Sequence, residues 1–296
     1  MLRKVNRVGT GTLTVSLPSE WIKKYDVKTG DELNISFFGS RLIIDRNNTY
    51  YLGEMELNIP SADTFKPRML IRPYILGYKE IKINFEEIEV IEALQNASQY
   101  LLGFEIVHQG KKNCILKNIA HGAESEFEGI FNRMMLNVML IAEEFCSSLK
   151  NGDRPALENL KPIFRSVDRL SIFSKRMLTL KGTHDNVRSS HALYSIINLF
   201  KTISYSYERL ISYVLQNNPK FDNSVLKHAE AITEITKKCY SLTKNFSYVH
   251  YNNLIRTNEA LIKDCETLLK NNQKHLIFIS YILYLHLAIN DLGLDF

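Results

Sequence analysis

The sequence predicts an α+β protein that is mostly helical, with a β-rich N-terminal module, a small α/β middle module and a C-terminal antiparallel bundle of six helices. Two observations predict this class. Nine of the 13 glycines lie at or before Gly122, so turns are concentrated in the front of the chain. Behind them, apolar residues recur at alternating steps of three and four, the spacing of helices with one buried face. We expect three domains, at residues 1–50, 51–121 and 122–296.

Composition and charge narrow the class of protein further. The 296 residues include 37 Lys+Arg, 32 Asp+Glu and 45% hydrophobic residues, which is typical of a folded chain rather than a disordered one. Residues 150–296 carry 20 basic and 13 acidic residues, which predicts either a solvated helical face or a second nucleic-acid surface. No apolar signal-peptide segment follows Met1, and the longest apolar stretch, residues 276–289, is too short to span a membrane. We expect a cytoplasmic protein in which that stretch is a core helix.

The first 50 residues predict a module of two hairpins around one short helix. Apolar and polar residues alternate on both sides of the turn Gly9-Thr10-Gly11, and Pro18 ends the second strand and opens the helix. The predicted elements are strands at residues 3–8 and 13–17, a helix at 21–25, and strands at 33–37 and 42–44. A module of this size is too small to form a good core as a single copy.

The middle region predicts a small α/β module. Its predicted elements are an apolar segment at residues 69–76, a strand at 81–83, a helix at 86–102, and strands at 104–108 and 114–117. We find no set of residues there to which chemistry can be assigned.

Three heptad-like seams predict long helices in the last region. The seams run from Phe127 to Phe145, from Leu193 to Val214 and from Val225 to Val249. Three more helices are predicted at residues 162–181, 254–270 and 275–291. Pro162 must begin or kink its helix, because its ring clashes with the carbonyl four residues earlier. Short turns between the six helices predict an antiparallel bundle.

Basic and polar residues surround the turn of the first hairpin. Up to Tyr25 the chain has five basic residues and one acidic residue. Arginine and lysine clustered at a turn suit contacts with phosphate, and an arginine in reach of a groove also pairs with guanine. The predicted DNA-binding residues are Arg3, Lys4, Asn6, Arg7, Thr10 and Thr12. The alternative is an ordinary solvated edge strand whose charges prevent aggregation.

The sequence carries no pattern for catalysis or metal binding. Gly9-Thr10-Gly11 lacks the third glycine, the Lys-Ser/Thr pair and the long following helix of a phosphate-binding loop. Neither a nucleophile elbow nor a pair of carboxylates occurs. The four cysteines have no CxxC spacing and no nearby histidine pair, and no histidine lies at i, i+4 from a second ligand. We therefore expect no enzyme activity, no metal and no cofactor, and we expect buried thiols in a reducing compartment.

Residues 1–47 resemble the swapped-hairpin DNA-binding domain of the AbrB, SpoVT and MazE proteins. The resemblance rests on the alternating segment 4–17, the Leu-Pro-Ser-Glu-Trp junction at 17–21 and the Gly-Asp-Glu-Leu segment at 30–33, which occur in the right order and spacing. It implies that hairpins from two chains interleave into one barrel-like homodimer that binds DNA, which would supply the core that one copy lacks. Trp21, the only tryptophan, is then predicted to anchor the short helix on the dimer core, with exposed base stacking as the alternative.

The whole chain resembles, in its layout, archaeal regulators that fuse this domain to a PhoU domain. PhoU proteins typically carry acidic pairs that hold metal clusters. Here Asp168 is kept, but Arg165 and Ser166 stand where acidic residues are expected in the first motif, as do Phe200 and Ser204 in the second. The metal cluster is therefore expected to be lost.

The two resemblances together imply a transcription regulator of phosphate uptake, whose bundle receives a signal or contacts a transporter or signalling protein. The alternative is an adaptor that acts on a phosphate transporter or sensor through protein contacts, with the N-terminal domain serving only to dimerise. A role as an antitoxin is disfavoured, because antitoxins usually follow their DNA-binding domain with a short toxin-binding tail and this helical body is large.

Overall fold

The computed structural model describes residues 2–38, 41–45, 52–120, 127–181, 190–271 and 273–290. The chain separates into two compact units, residues 1–50 and 51–296. The first unit is built from strands and one short helix, whereas most of the second is helical, as the sequence predicts. The division of residues 51–296 into two further domains stays a prediction.

The N-terminal unit contains two antiparallel hairpins separated by one short helix. Its elements are β1 (Val5–Val8), β2 (Thr12–Val15), α1 (Ser19–Lys24), β3 (Asn34–Phe38) and β4 (Arg41–Asp45). Strand β1 pairs with β2 and β3 pairs with β4, so this single chain forms two separate two-stranded sheets. The order of elements is the predicted one, and the closed barrel of the swapped-hairpin dimer stays a prediction.

Local sequence explains the bends of this unit. Gly9, the first residue of the three-residue turn between β1 and β2, has a φ of +68°, a backbone conformation that glycine adopts without steric cost. Helix α1 begins directly after Pro18, where a missing N–H leaves no hydrogen bond unmade. Asp31 accepts a hydrogen bond from the backbone N–H of Lys28 at 2.9 Å, which closes the loop after α1.

The middle region forms a mixed four-stranded sheet in the order β5–β6–β8–β7. Its elements are β5 (Leu52–Ile59), α2 (Arg68–Leu76), β6 (Tyr78–Phe85), α3 (Val90–Ser98), β7 (Phe104–Gln109) and β8 (Asn113–Asn118). Strand β5 runs parallel to β6, with α2 as the connection, and the other neighbours are antiparallel. The predicted strands near 81, 104 and 114 are confirmed; the helix predicted at 86–102 is shorter, and β5 was missed.

The last region contains six long helices and one short one among the described residues. They are α4 (Phe127–Asn151), α5 (Arg154–Glu158), α6 (Lys161–Lys181), α7 (Ser190–Asn217), α8 (Asn223–Lys244), α9 (Tyr248–Asn271) and α10 (Leu276–Asn290). Pro162 is the second residue of α6, in the first helical turn, where its missing N–H leaves no hydrogen bond within α6 unmade. The predicted seam from Val225 to Val249 is wrong in its last part: Asn245 leaves the helical backbone, with a φ of −141°, and Val249 lies in α9.

Two hydrophobic cores hold the second unit together. One lies among the long helices, where α10, the most apolar of them, packs against α7, α8 and α9 as the predicted core helix. The other lies between the sheet, α2 and α3, and it also includes Ile172, Phe173, Met177 and Leu180 of α6. Helix α6 thus contributes one face to each core. No helix of the described residues is long and apolar enough to cross a membrane.

Candidate functional site

All six predicted DNA-binding residues lie in or beside the first hairpin, and all six are exposed. Arg3 and Lys4 precede β1, Asn6 and Arg7 lie in β1, Thr10 lies in the turn and Thr12 is the first residue of β2. The set therefore lies within ten consecutive residues, 3–12, in or directly before one hairpin. Their contact with DNA stays a prediction.

The register of this hairpin divides the set between its two faces. Residues paired across a ladder share a face, and successive residues of a strand alternate. Thr12 pairs with Val8, two residues beyond Asn6, so Asn6 and Thr12 lie on the same face. Arg7 pairs with Leu13 on the opposite face. Arg7 and Asn6 consequently cannot contact the same surface through a flat hairpin.

The face that carries Arg7 is otherwise apolar and open to solvent. Val5 pairs with Val15 and lies two residues from Arg7 on this face, beside Leu13. Leu13 is 67% exposed and Val5 is 64% exposed. Among the described side chains of residues 2–45, none is buried. Within one chain the unit therefore leaves its apolar strand residues in water and lacks the stabilisation, roughly 25 cal/mol for each Å², that their burial would give.

Helix α1 adds charge and an aromatic cluster to the unit. Lys23 and Lys24 are exposed in its last turn. The rings of Trp21 and Tyr25 lie 5.5 Å apart, and the ammonium of Lys24 lies 5.5 Å from the centre of the Tyr25 ring. Trp21 is half-buried by this packing. The unit thus keeps a basic surface on both β1 and α1.

The residues that were compared with the acidic pairs of PhoU proteins in the sequence make other contacts in the structure. Asp168 of α6 forms an ion pair with Lys201 of α7, with Nζ and Oδ1 3.1 Å apart. Ser166 accepts a hydrogen bond from Asn137 at 3.1 Å. Burial, together with the charge of Asp168, raises the pKa of Glu208. A lysine ammonium beside the one retained carboxylate opposes cation binding at these positions.

Three chemically reactive side chains meet in the helical core although the sequence separates them. His228 of α8, Cys265 of α9 and His286 of α10 place one nitrogen or sulfur atom each within 4.8 Å of one another. Cys265 and His286 are fully buried, and His228 is half-buried. Burial raises the pKa of Cys265 to about 12 and lowers that of His286 to about 4, so both side chains are neutral at pH 7.

Sequence reasoning missed this cluster because it tested spacing within single elements. The three residues are separated by 37 and 21 positions and each lies on its own helix. The one signal available in the sequence was a histidine at position 286 inside the most apolar stretch of the chain, where a polar side chain needs a partner.

Comparison with known proteins identifies the N-terminal unit alone. Residues 7–48 match the family model described as antidote-toxin recognition MazE, bacterial antitoxin. Neither the curated proteins nor the solved structures gave a match to the chain. The matched segment begins within β1, at Arg7, and includes β2, α1, β3 and β4. The N-terminal unit is therefore a MazE/AbrB-type domain, and domains of this type typically bind DNA and form dimers.

Proposed function

We propose that the protein is a transcription regulator that binds DNA as an interleaved homodimer through its N-terminal hairpins. The observation that carries this proposal is the hairpin β1–β2, which is fully exposed, basic on its surface and apolar on one face, in a segment that matches a DNA-binding domain type. Exposed apolar residues beside basic ones do not stabilise a single folded chain, and such patches typically mark a surface that binds a partner.

The apolar face of the hairpin supports the dimer. Val5, Leu13 and Val15 share a face and are 41–67% exposed in one chain. A second copy related by a two-fold axis presents the same face, so each copy covers the other. Burying such residues stabilises the pair by the free energy that one chain cannot obtain.

The charges of the hairpin support DNA as the ligand. Arg3, Lys4 and Arg7 lie within five consecutive positions and are exposed in one chain. Arg7 shares the apolar face but lies near the turn, so under this proposal its long side chain reaches past the edge of the dimer contact to DNA. A two-fold dimer doubles this set and presents it symmetrically, which favours a pseudo-palindromic site. Phosphate contacts set the affinity, and an arginine that reaches a base edge sets the sequence preference.

The test of this function is a footprint of the full-length protein on DNA from upstream of its own gene and on genomic fragments. A regulator protects a discrete pseudo-palindromic sequence. Uniform, weak protection of all fragments would contradict the proposal and support the adaptor. The adaptor alternative can be tested by partner binding to a fragment without the N-terminal unit. That fragment should comprise residues 51–296 and not 122–296, because removal of the sheet, α2 and α3 would expose Ile172, Phe173 and Met177 of α6.

We propose that the genes under control are those of phosphate uptake and that phosphate supply is the signal. The support is the resemblance in layout to regulators that fuse this DNA-binding domain to a PhoU domain. Under this proposal, expression of phosphate-uptake genes changes when the gene is deleted and phosphate becomes scarce. Equal transcript levels in the deleted and parent strains at low and high phosphate would remove the phosphate assignment and leave the DNA-binding assignment intact.

A second candidate function comes from the description of the matching family, which names toxin recognition by an antitoxin. It predicts that the chain neutralises a growth-arresting protein when the two are co-expressed. The helical unit of residues 51–296 is far larger than a toxin-binding tail, which favours the regulator. Neutralisation by a chain that gives no discrete footprint would favour the antitoxin instead.

A further inference from the structure

We propose that His228, Cys265 and His286 bind one zinc ion inside the helical unit and thereby link α8, α9 and α10. Each helix supplies one ligand, and the three ligand atoms lie within 4.8 Å of one another. In a tetrahedral zinc site, ligand atoms at the usual distances of about 2.1 to 2.3 Å from the metal lie about 3.6 Å apart. The observed separations exceed this value by about 1 Å at most, so the proposed site requires side-chain shifts of that order.

The hydrogen bonds of Asn258 prepare His286 as a ligand. The Nδ2 group of Asn258 donates to the backbone carbonyl of His286 at 2.7 Å, which fixes the orientation of the amide. Its Oδ1 atom therefore faces Nδ1 of His286 at 2.6 Å and accepts a hydrogen bond from the Nδ1–H group. With the proton held on Nδ1, the Nε2 atom carries the lone pair that a metal requires.

The Nε2 atom of His286 is the strongest indication of a missing ligand. It is fully buried and has no hydrogen-bond partner among the described residues. A buried acceptor without a partner destabilises the fold by about 1 to 3 kcal/mol, so such atoms are rare in native proteins. Coordination of a metal ion would satisfy this atom and at the same time use the tautomer that Asn258 imposes.

The other two ligands meet beside it. The Sγ atom of Cys265 lies 3.3 Å from Nδ1 of His228, close to the separation of two ligands of one tetrahedral ion. Binding replaces the thiol proton: the Cys265 thiol and Zn²⁺ give a zinc thiolate and one proton, which passes to solvent. His228 is half-buried and provides the side by which an ion enters, and the carboxylate of Asp264 interacts electrostatically with both His228 and Cys265.

The donor set determines the class of metal. Two imidazoles and a thiolate suit borderline and soft transition-metal ions, whereas Mg²⁺ and Ca²⁺ require oxygen ligands. Zinc with three protein ligands keeps a fourth position for water or an external ligand. The acidic positions of PhoU proteins, where Asp168 pairs with Lys201, play no part in this site.

The test begins with the full-length wild-type protein after treatment with a chelator. We expect one Zn²⁺ to bind per chain. Titration with Co²⁺ should give the visible bands of a tetrahedral ion and a thiolate-to-cobalt charge-transfer band, and excess Zn²⁺ should remove both. Absence of a thiolate band from folded wild-type protein would overturn the proposal and identify the cluster as a hydrogen-bonded core only.

Three variants locate the ion. Cys265→Ala should abolish the thiolate band. His228→Gln changes a half-buried position and should weaken metal binding by more than about 100-fold. Loss of a residue that only hydrogen-bonds a ligand typically weakens binding by about 10- to 100-fold, so a larger effect identifies His228 as a ligand. Cys239→Ala is the matched control, since Cys239 is a fully buried cysteine of α8 outside the cluster. Unchanged metal binding in both Cys265→Ala and His228→Gln, with native circular dichroism, would contradict the assignment.

Discussion

The side chain of Arg176 on α6 links the helical region to the middle region by hydrogen bonds and ring contacts. It is 1% exposed, and its guanidinium donates to the carbonyl oxygens of Tyr74 and of Tyr78, the latter at 3.0 Å. The same group lies 4.6 Å from the centre of the Tyr74 ring and 4.9 Å from that of Phe104. The planar fork of arginine satisfies carbonyls and rings at once, and no other cationic side chain has this geometry.

We predict that Arg176→Ala lowers the free energy of unfolding by roughly 3 kcal/mol, because the buried carbonyl of Tyr74 and the partly buried carbonyl of Tyr78 lose a charged donor and both rings lose a packing partner. Arg176→Lys keeps the charge but not the fork, so it should recover only part of this loss. Urea unfolding measures both variants. Arg169→Ala, at an exposed position of the same helix, should change stability by about 0.5 kcal/mol at most. Equal effects of the two alanine variants would contradict this role.

Lys175, the neighbour of Arg176, gives a pH-dependent prediction. Burial, with a contribution from Lys201, lowers the pKa of Lys175 to about 8. The unfolded chain, with a lysine pKa near 10.5, therefore binds more protons than the folded one between about pH 8 and 10.5, and stability rises with pH across that window. Lys175→Met should stabilise the protein by about 1 kcal/mol at pH 7, after loss of the bond to Asn198, and this gain should shrink as the pH rises.

Urea unfolding at pH 7, 8.5 and 10 measures the difference in free energy of unfolding between Lys175→Met and wild type. The control is Lys238→Met, at an exposed position of α8. Its difference in free energy of unfolding from wild type should be the same at all three pH values. A stabilisation by Lys175→Met that stays constant across the three pH values would show that its charge is not the cause.

Site residues could be predicted where local pattern determines them and not where helices bring distant residues together. Arg7 and Thr10 were predicted to bind DNA; the structure places both in the predicted hairpin and exposed, because alternation and a glycine turn fix a hairpin locally, and their contact with DNA stays a prediction. The cluster of Cys265 and His286 could not be predicted, because its geometry depends on how three helices pack against each other.

At the scale of elements, the first hairpin is the least self-sufficient part of the chain. Leu13 is 67% exposed, so its replacement removes no packing within one chain. We predict that Leu13→Asn raises the dimer dissociation constant at least about tenfold, the effect of losing about 1.4 kcal/mol of apolar burial between copies. Thr14→Asn, one residue away on the opposite face of the same strand, should leave it unchanged.

Sedimentation over a range of protein concentrations measures the dissociation constant. A Leu13→Asn protein that is as dimeric as wild type would show that this face does not form the dimer contact. Loss of dimers in Thr14→Asn alone would place the contact on the other face.

Element boundaries were predicted well where a strong stop lies in the sequence and poorly elsewhere. Pro18 and Pro162 mark the starts of α1 and α6 as predicted. The predicted helix through Asn245 is wrong, because the apolar spacing continues by chance from the end of α8 into α9. Strand β5 was missed because charged residues interrupt it; Glu54 pairs with Lys82 of the neighbouring strand, a contact that only the sheet register reveals.

At the scale of the whole molecule, the two units have different physical characters. Residues 51–296 bury two hydrophobic cores, whereas the described side chains of the N-terminal unit bury none. Under the proposed function, the exposed apolar and basic surface of the first hairpin binds a second copy of the chain and the dimer then binds DNA. If the hairpin only dimerises, its basic residues bind any DNA weakly and without sequence preference. The affinity and sequence specificity of DNA binding therefore distinguish a regulator from an adaptor.

The most direct test measures DNA binding by the full-length protein across about 50 to 200 mM salt, on its own upstream DNA and on a scrambled sequence. The Arg3→Ala, Arg7→Ala double variant is compared with Lys28→Ala, a control in the same unit whose charge is paired with Asp26 at 3.4 Å. We predict tight, sequence-dependent binding that the double variant loses and the control keeps. Equal, weak binding to both DNAs that salt abolishes, with no difference between the variants, would contradict the account.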